Sequence, residues 1–170
     1  PALAGPTLPE AFAAKATALG TTIDRVASMA EVPLAARRYL DQHGLPGLAL
    51  QQAPDLLALD WTGIATHPGL APDEPAALGL ALHGIAEGGS LVVHSGPDAP
   101  ILLSFLPLHH LIVLREDSLL AYLEDYAARL SARAIPRNAI LITGPSGTTD
   151  IEGSYVRGAH GPGYLHVILV

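Results

Sequence analysis

A chain of 170 residues, 49% hydrophobic and only 15% charged, can bury roughly 70% of its unfolded surface and carries fewer charges than the usual share of about 25%. Its net charge of −7, with Arg37–Arg38 as the sole adjacent basic pair, argues against a nucleic-acid role. The absence of cysteine excludes disulfides, Cys-based zinc sites and thiolate ligation of an iron–sulfur cluster by these residues, and it fits a cytosolic (cytoplasmic) protein.

Pro1 to Gly20 lacks the basic start and apolar core of a signal peptide, and with no initiator Met further N-terminal residues are expected ahead of Pro1. Leu8 to Leu19 is Ala-rich and unbroken, which predicts a helix stopping at Gly20. Thr21 to Val26 reads as a short strand. From Glu31 to His43, Val32, Ala35, Ala36, Tyr39 and Leu40 fall at helical spacing, with Pro33 in the first turn and Gly44 as the stop. Leu45 to Leu50 is a strand candidate and Pro54 to Leu59 a short helix. Ile64 to Thr66 is a weaker strand candidate, followed by a proline-rich loop from His67 to Pro75.

Leu78 to Ile85 and Ser90 to His94 read as two strands joined through Ala86-Glu87-Gly88-Gly89. The apolar region Ile101 to Leu114 is broken by Ser104, Pro107, His109 and His110, too short and too polar for a membrane span of about 18–20 residues. Within it, Leu111 to Leu114 is a strong strand. Asp117 or Ser118 can cap a helix running to Arg133, with Leu119, Leu123, Tyr126, Ala127 and Leu130 on one face. No repeat, low-complexity segment or internal boundary interrupts the chain, so 1–170 reads as one domain. The alternation of strands and helices predicts an α/β layered fold: a mostly parallel or mixed sheet flanked by helices.

The last third concentrates the polar signals. Two apolar runs, Ala139 to Ile142 and Leu165 to Val170, read as buried strands. The loop between them spends six glycines (Gly144, Gly147, Gly153, Gly158, Gly161, Gly163) on backbone shape and carries Asp150, Glu152 and His160. Gly144 to Asp150 could present backbone N–H groups to a phosphate or carboxylate, helped by Ser146, Thr148 and Thr149. It is not a Walker A loop, because no Gly-Lys-Ser/Thr follows. A turn with a locally satisfied cap at Thr149 or Asp150 is the plainer alternative. Asp150 and Glu152 share a face only if the segment is a strand.

These residues also carry a resemblance. ITGPSGTTDIEG and GAHGPGYLHVILV, with GIAEGGSLVV at Gly84 to Val93 and SFLPLHHLIVL at Ser104 to Leu114, resemble the lactate-utilisation protein C family, the LUD domain. The likeness is specific from about Leu78 to Val170. Where that pattern has arginine this chain has Gly147, which removes any anion contact by that side chain. The resemblance implies the architecture of the CoA-transferase and sugar-phosphate isomerase superfamily. It also implies a component of a bacterial complex oxidising L-lactate to pyruvate, with iron–sulfur clusters in partner subunits, none in this chain, and a small anionic ligand here.

The candidate residues follow. Glu87, beside two glycines at an expected strand end, could act as base or nucleophile, as in an independent CoA-transferase-like or isomerase-like enzyme; accepting backbone N–H groups in the turn is its plainer role. Asp150 and His160 complete the catalytic candidates. Gly144, Ser146, Thr148, Thr149 and Gly161 are the ligand-binding ones. His109-His110, His160 and His166 match no zinc spacing, so no metal is expected, and His109 and His110 should face opposite sides of a strand. A binding module without catalysis remains open. The thin polar coat predicts that another subunit, a second copy or a partner, covers part of the surface.

Overall fold

The computed structural model describes residues 6–132, 136–149, 153, 155–158 and 160–170. In chain order the first half forms α1 (Leu8–Ala18), β1 (Thr22–Arg25), α2 (Val32–Gln42), β2 (Leu48–Leu50), α3 (Pro54–Leu57), β3 (Thr66–His67) and β4 (Ala76–Leu80). It continues through β5 (His83–Ile85), β6 (Ser90–His94), β7 (His109–Leu114), β8 (Leu119–Leu120) and α4 (Leu123–Ser131). The last part is β9 (Ala139–Ile142), β10 (Gly147–Thr149), β11 (Tyr155–Arg157) and β12 (Tyr164–Leu169).

Six strands make one parallel sheet in the order β1-β12-β7-β4-β2-β3. Its centre is apolar on both faces, as a parallel sheet covered on both sides requires: every residue of β7 is buried, and so is all of β12 beyond Tyr164. Alternation then divides the core. Leu111, Val113 and Ile168 pack with Val32, Ala36, Leu40 and Leu56 from α2 and α3. Ile112, Leu114, Val167 and Leu169 turn the other way, onto Phe12 and Ala16 of α1 and Leu91 of a second sheet. That second sheet is mixed, in the order β8-β5-β6-β9.

The predicted helix stops hold: Gly20 (φ 95°) and Gly44 (φ 63°) both adopt the left-handed conformation that ends a helix. Three expectations are corrected. Leu78 to Ile85 is not one strand. Ala81 N–H still donates to Val113 of the parallel sheet, at 2.9 Å, whereas Leu82 N–H donates to Val92 of the second sheet, at 2.8 Å. The chain changes sheets between those two residues, and burial on both sides of the crossing makes the apolar pattern look continuous. The helix expected from Asp117 starts six residues later, because Leu119 and Leu120 pair with Gly84 and Ile85 as a strand; Arg133 lies outside the described residues. Ala139 to Ile142 is a strand but not a buried one: β9 is the edge of the second sheet, and Leu141 is 45% exposed. Among the described residues no helix is long and apolar enough to cross a membrane.

Candidate functional site

β12 begins at Tyr164, so the glycine-rich loop that precedes it sits at the amino end of the parallel sheet. Period-two alternation at that strand start directs neighbouring side chains to different surroundings. Leu165 lines a cavity on one side, while Tyr164 and His166 join a ring cluster on the other.

The cavity has a volume of about 220 Å³. Thr143, Gly144, Pro145 and Ser146 form one wall, and His160, Gly161 and Pro162 another. Ser104, Phe105 and the β9 residues Ile140 to Ile142 complete it. Ser146 joins the two loop arms: its N–H donates to Pro162 O at 2.7 Å and its carbonyl accepts from Gly158 N–H at 3.0 Å. Gly144 is required where it stands, because its φ is 74° and a Cβ would meet Leu19 O at 2.9 Å. Thr143 Oγ1 is tied to Ser90 Oγ at 2.7 Å.

Four of the sequence candidates, Gly144, Ser146, His160 and Gly161, thus meet at one cavity. The segment after Ser146 enters β10, and the Ser146 N–H is taken up by Pro162 O. No lysine or arginine lines the cavity among the described residues. Thr148 and Thr149 belong to β10, opposite Val156 and Tyr155; their side chains, like Asp150 and Glu152, lie outside the described residues.

Glu87 is exposed in the β5–β6 turn and does not line the cavity. Its Oε1 accepts the Leu123 N–H at 2.8 Å, the first free donor of α4. A carboxylate at that position satisfies an orphan helix donor and complements the helix dipole. The plainer reading of Glu87 therefore has a direct structural expression, with the donor coming from α4 instead of the turn itself.

The ring cluster was not legible from local spacing. His109 stacks on Tyr164 with ring centres 4.2 Å apart and an interplanar angle of 5°. Tyr39 Oη and His109 Nδ1 share a hydrogen bond of 2.8 Å, and Tyr39 lies 4.5 Å from His166. His43 caps the group at 4.2 Å from Tyr39 and 5.0 Å from His109. Arg157 covers Tyr164 at 4.7 Å, a cation–π contact that links β11 to the cluster. His166 Nδ1 pairs with Thr22 Oγ1 at 2.7 Å, whereas its buried Nε2 has no partner among the described residues.

Burial sets the protonation here. It pushes His109 down to about 4, with the neighbouring His43 adding to the effect. It pushes His166 to about 4 as well, against an opposing pull from Asp24 and with help from His43 and Arg38. Tyr39 is raised to about 12 by burial and then by Tyr164. His109, His166 and Tyr39 are therefore uncharged at neutral pH, and among the described residues no set of three or more metal-ligating side chains comes together. As expected, His110 faces away from His109, toward Gly79 and Leu103.

A family model described as the LUD domain matches residues 76–170. The uncharacterized protein YkgG of Escherichia coli is 30% identical over 123 residues, covering 68% of this chain and 53% of YkgG. Lactate utilization protein C of Deinococcus radiodurans is 30% identical over 137 residues, 79% of this chain and 63% of that protein. The chain spans about half the length of the curated relatives it matches. A crystal structure of a DUF162 family protein from Deinococcus radiodurans aligns with a TM-score of 0.72 at 23% identity, over 96% of both chains, which shows the shared fold.

Proposed function

Because this chain belongs to the LUD domain family, we propose that it serves in lactate utilisation, as a cytoplasmic component of an assembly that oxidises L-lactate to pyruvate. In this reading it contacts partner subunits that carry the iron–sulfur clusters. Its own residues include no cysteine and so do not suit cluster ligation by thiolates. The observation that carries the proposal is a coincidence of family and surface: every residue lining the loop cavity falls inside the matched stretch 76–170. The names of the lactate utilization relatives support the pathway, and the exposed apolar side chains at the cavity support a contact surface there. Phe105 and Leu141 line it at 46% and 45% exposure, and β9 is an edge strand of its sheet among the described residues.

A tagged copy purified from its native host tests this. The expected result is co-purification of brown, cluster-bearing subunits together with lactate-dependent reduction of a dye. A colourless preparation without that activity overturns the proposal. Glu87→Gln separates it from an independent transferase-like or isomerase-like enzyme, since that variant should leave dye reduction by the assembly intact.

A further inference from the structure

The opposite end of the parallel sheet carries a cavity that the loop does not reach. The order of connections marks where it opens. After β2 the chain moves outward to β3, whereas after β4 it moves the other way, to β7 and then to β12. The direction therefore reverses between the neighbours β2 and β4, and open parallel sheets bind ligands beyond the carboxyl ends of their strands at such a reversal. A cavity of about 350 Å³, a size suited to a small molecule, lies next to this reversal, beyond the carboxyl ends of β4 and β7 and beside α3, the helix that follows β2.

Its wall combines three chemistries. Leu80, the last residue of β4, and Ala81 and Leu82 after it give an apolar side that suits a short alkyl group. Arg115, following β7, gives a guanidinium whose Nη2 donates to Asp55 Oδ2 at 2.9 Å. That ion pair is 38% and 54% exposed, and exposed pairs of this kind are weak. Asp55 is thus a carboxylate that a second carboxylate can replace at small cost, and the planar guanidinium is the group best matched to two carboxylate oxygens. Ser118 Oγ donates to Arg115 O at 2.7 Å and fixes the backbone beneath it. His94 completes the wall, with its Nε2 held to Tyr126 Oη at 2.7 Å.

We propose that this cavity binds a small 2-hydroxy- or 2-oxocarboxylate, with its carboxylate on Arg115 in place of Asp55 and its 2-oxygen toward His94. The choice of a 2-oxygenated acid rests on the lactate reading proposed above, but the site lies at the other end of the sheet from the subunit contacts, which co-purification decides. Direct binding to the isolated full chain decides this one.

The test is titration of the isotope-labelled chain at low salt with L-lactate, pyruvate and propionate, followed by nuclear magnetic resonance. Expected are saturable shifts at residues 80–82 and 115–118, and binding of propionate, which lacks the 2-oxygen, weaker by about tenfold. Arg115→Gln should weaken binding more than about tenfold, while Asp55→Asn, which removes the competing carboxylate, should tighten it about threefold to fivefold. Absence of saturable binding, shifts centred on Ser146 and His160, or equal binding of propionate overturns the proposal. Where Arg115→Gln does not fold, Asp55→Asn decides alone: unchanged or weaker binding overturns the site.

Discussion

Three strand histidines, His109, His110 and His166, are each pushed down to about 4, chiefly by burial. An unfolded histidine titrates near 6.5, so between about pH 6.5 and pH 4 the unfolded chain binds protons that the folded chain refuses. Stability is then fully present above that window and is lost as pH falls through it, by up to ~1.4 kcal/mol per pH unit for each ring. Urea midpoints measured from pH 7.5 to pH 4.5 should fall steadily, and His110→Leu should flatten the slope. A midpoint that stays level would mean that the rings hold protons in the folded state. Glycine gives a second contrast at this scale. Gly144→Ala places a Cβ at a φ of 74° and 2.9 Å from Leu19 O, and should cost about 1–3 kcal/mol. Gly161→Ala meets Ser146 Cβ at an ordinary 3.5 Å and should leave the melting temperature nearly unchanged.

The elements show why some of the fold was readable and some was not. α2 announces itself, because Val32, Ala35, Ala36, Tyr39 and Leu40 are both helically spaced and buried in one cluster. β7 and β12 do the same as continuous apolar runs. The start of α4 was misread because Leu119 and Leu120 fit a helical stripe as well as a strand, and only their pairing with β5, more than thirty residues earlier, decides between them. The same long range hid the partner of Glu87, Leu123, which is 36 residues away. The loop cavity was half legible: glycine density marked it, but Ser104, Phe105 and β9 reach it only through tertiary structure. The ring cluster was least legible, since Tyr39 and His109 meet across 70 residues. From the capping geometry, Glu87→Ala should destabilise α4 and cost about 0.5–2 kcal/mol, with Glu87→Gln retaining most of that through its amide oxygen. Chemical denaturation of the two variants checks this, and equal, large losses would mean that the charge rather than the hydrogen bond carries the cap.

At the scale of the molecule, 15% charged residues leave apolar side chains on the surface, some of them at the cavities on either end of β9. Phe105 and Leu141 flank the loop cavity, and Ile101 lines an adjoining cavity near Asn138 at the other end of β9. An edge strand with free N–H and C=O groups beside exposed aromatic and aliphatic side chains is a surface that favours pairing with another chain. Phe105→Ser combined with Leu141→Lys removes the apolar rim and places a charge on the edge. Both positions are close to half exposed, so each change should alter folding stability by no more than about 0.5 kcal/mol. Capture of cluster-bearing subunits should fall by more than about tenfold, the loss expected when a central aromatic anchor worth ~1.4 kcal/mol or more is removed. Pull-down from the native host with both forms of the tagged chain, alongside light-scattering mass measurements, reads this directly. If the variant loses a concentration-dependent rise in mass while retaining its partners, the surface joins two copies of this chain and the partner contacts lie elsewhere. If capture falls and the monomer mass is unaffected, the rim of the loop cavity is where the assembly meets this protein.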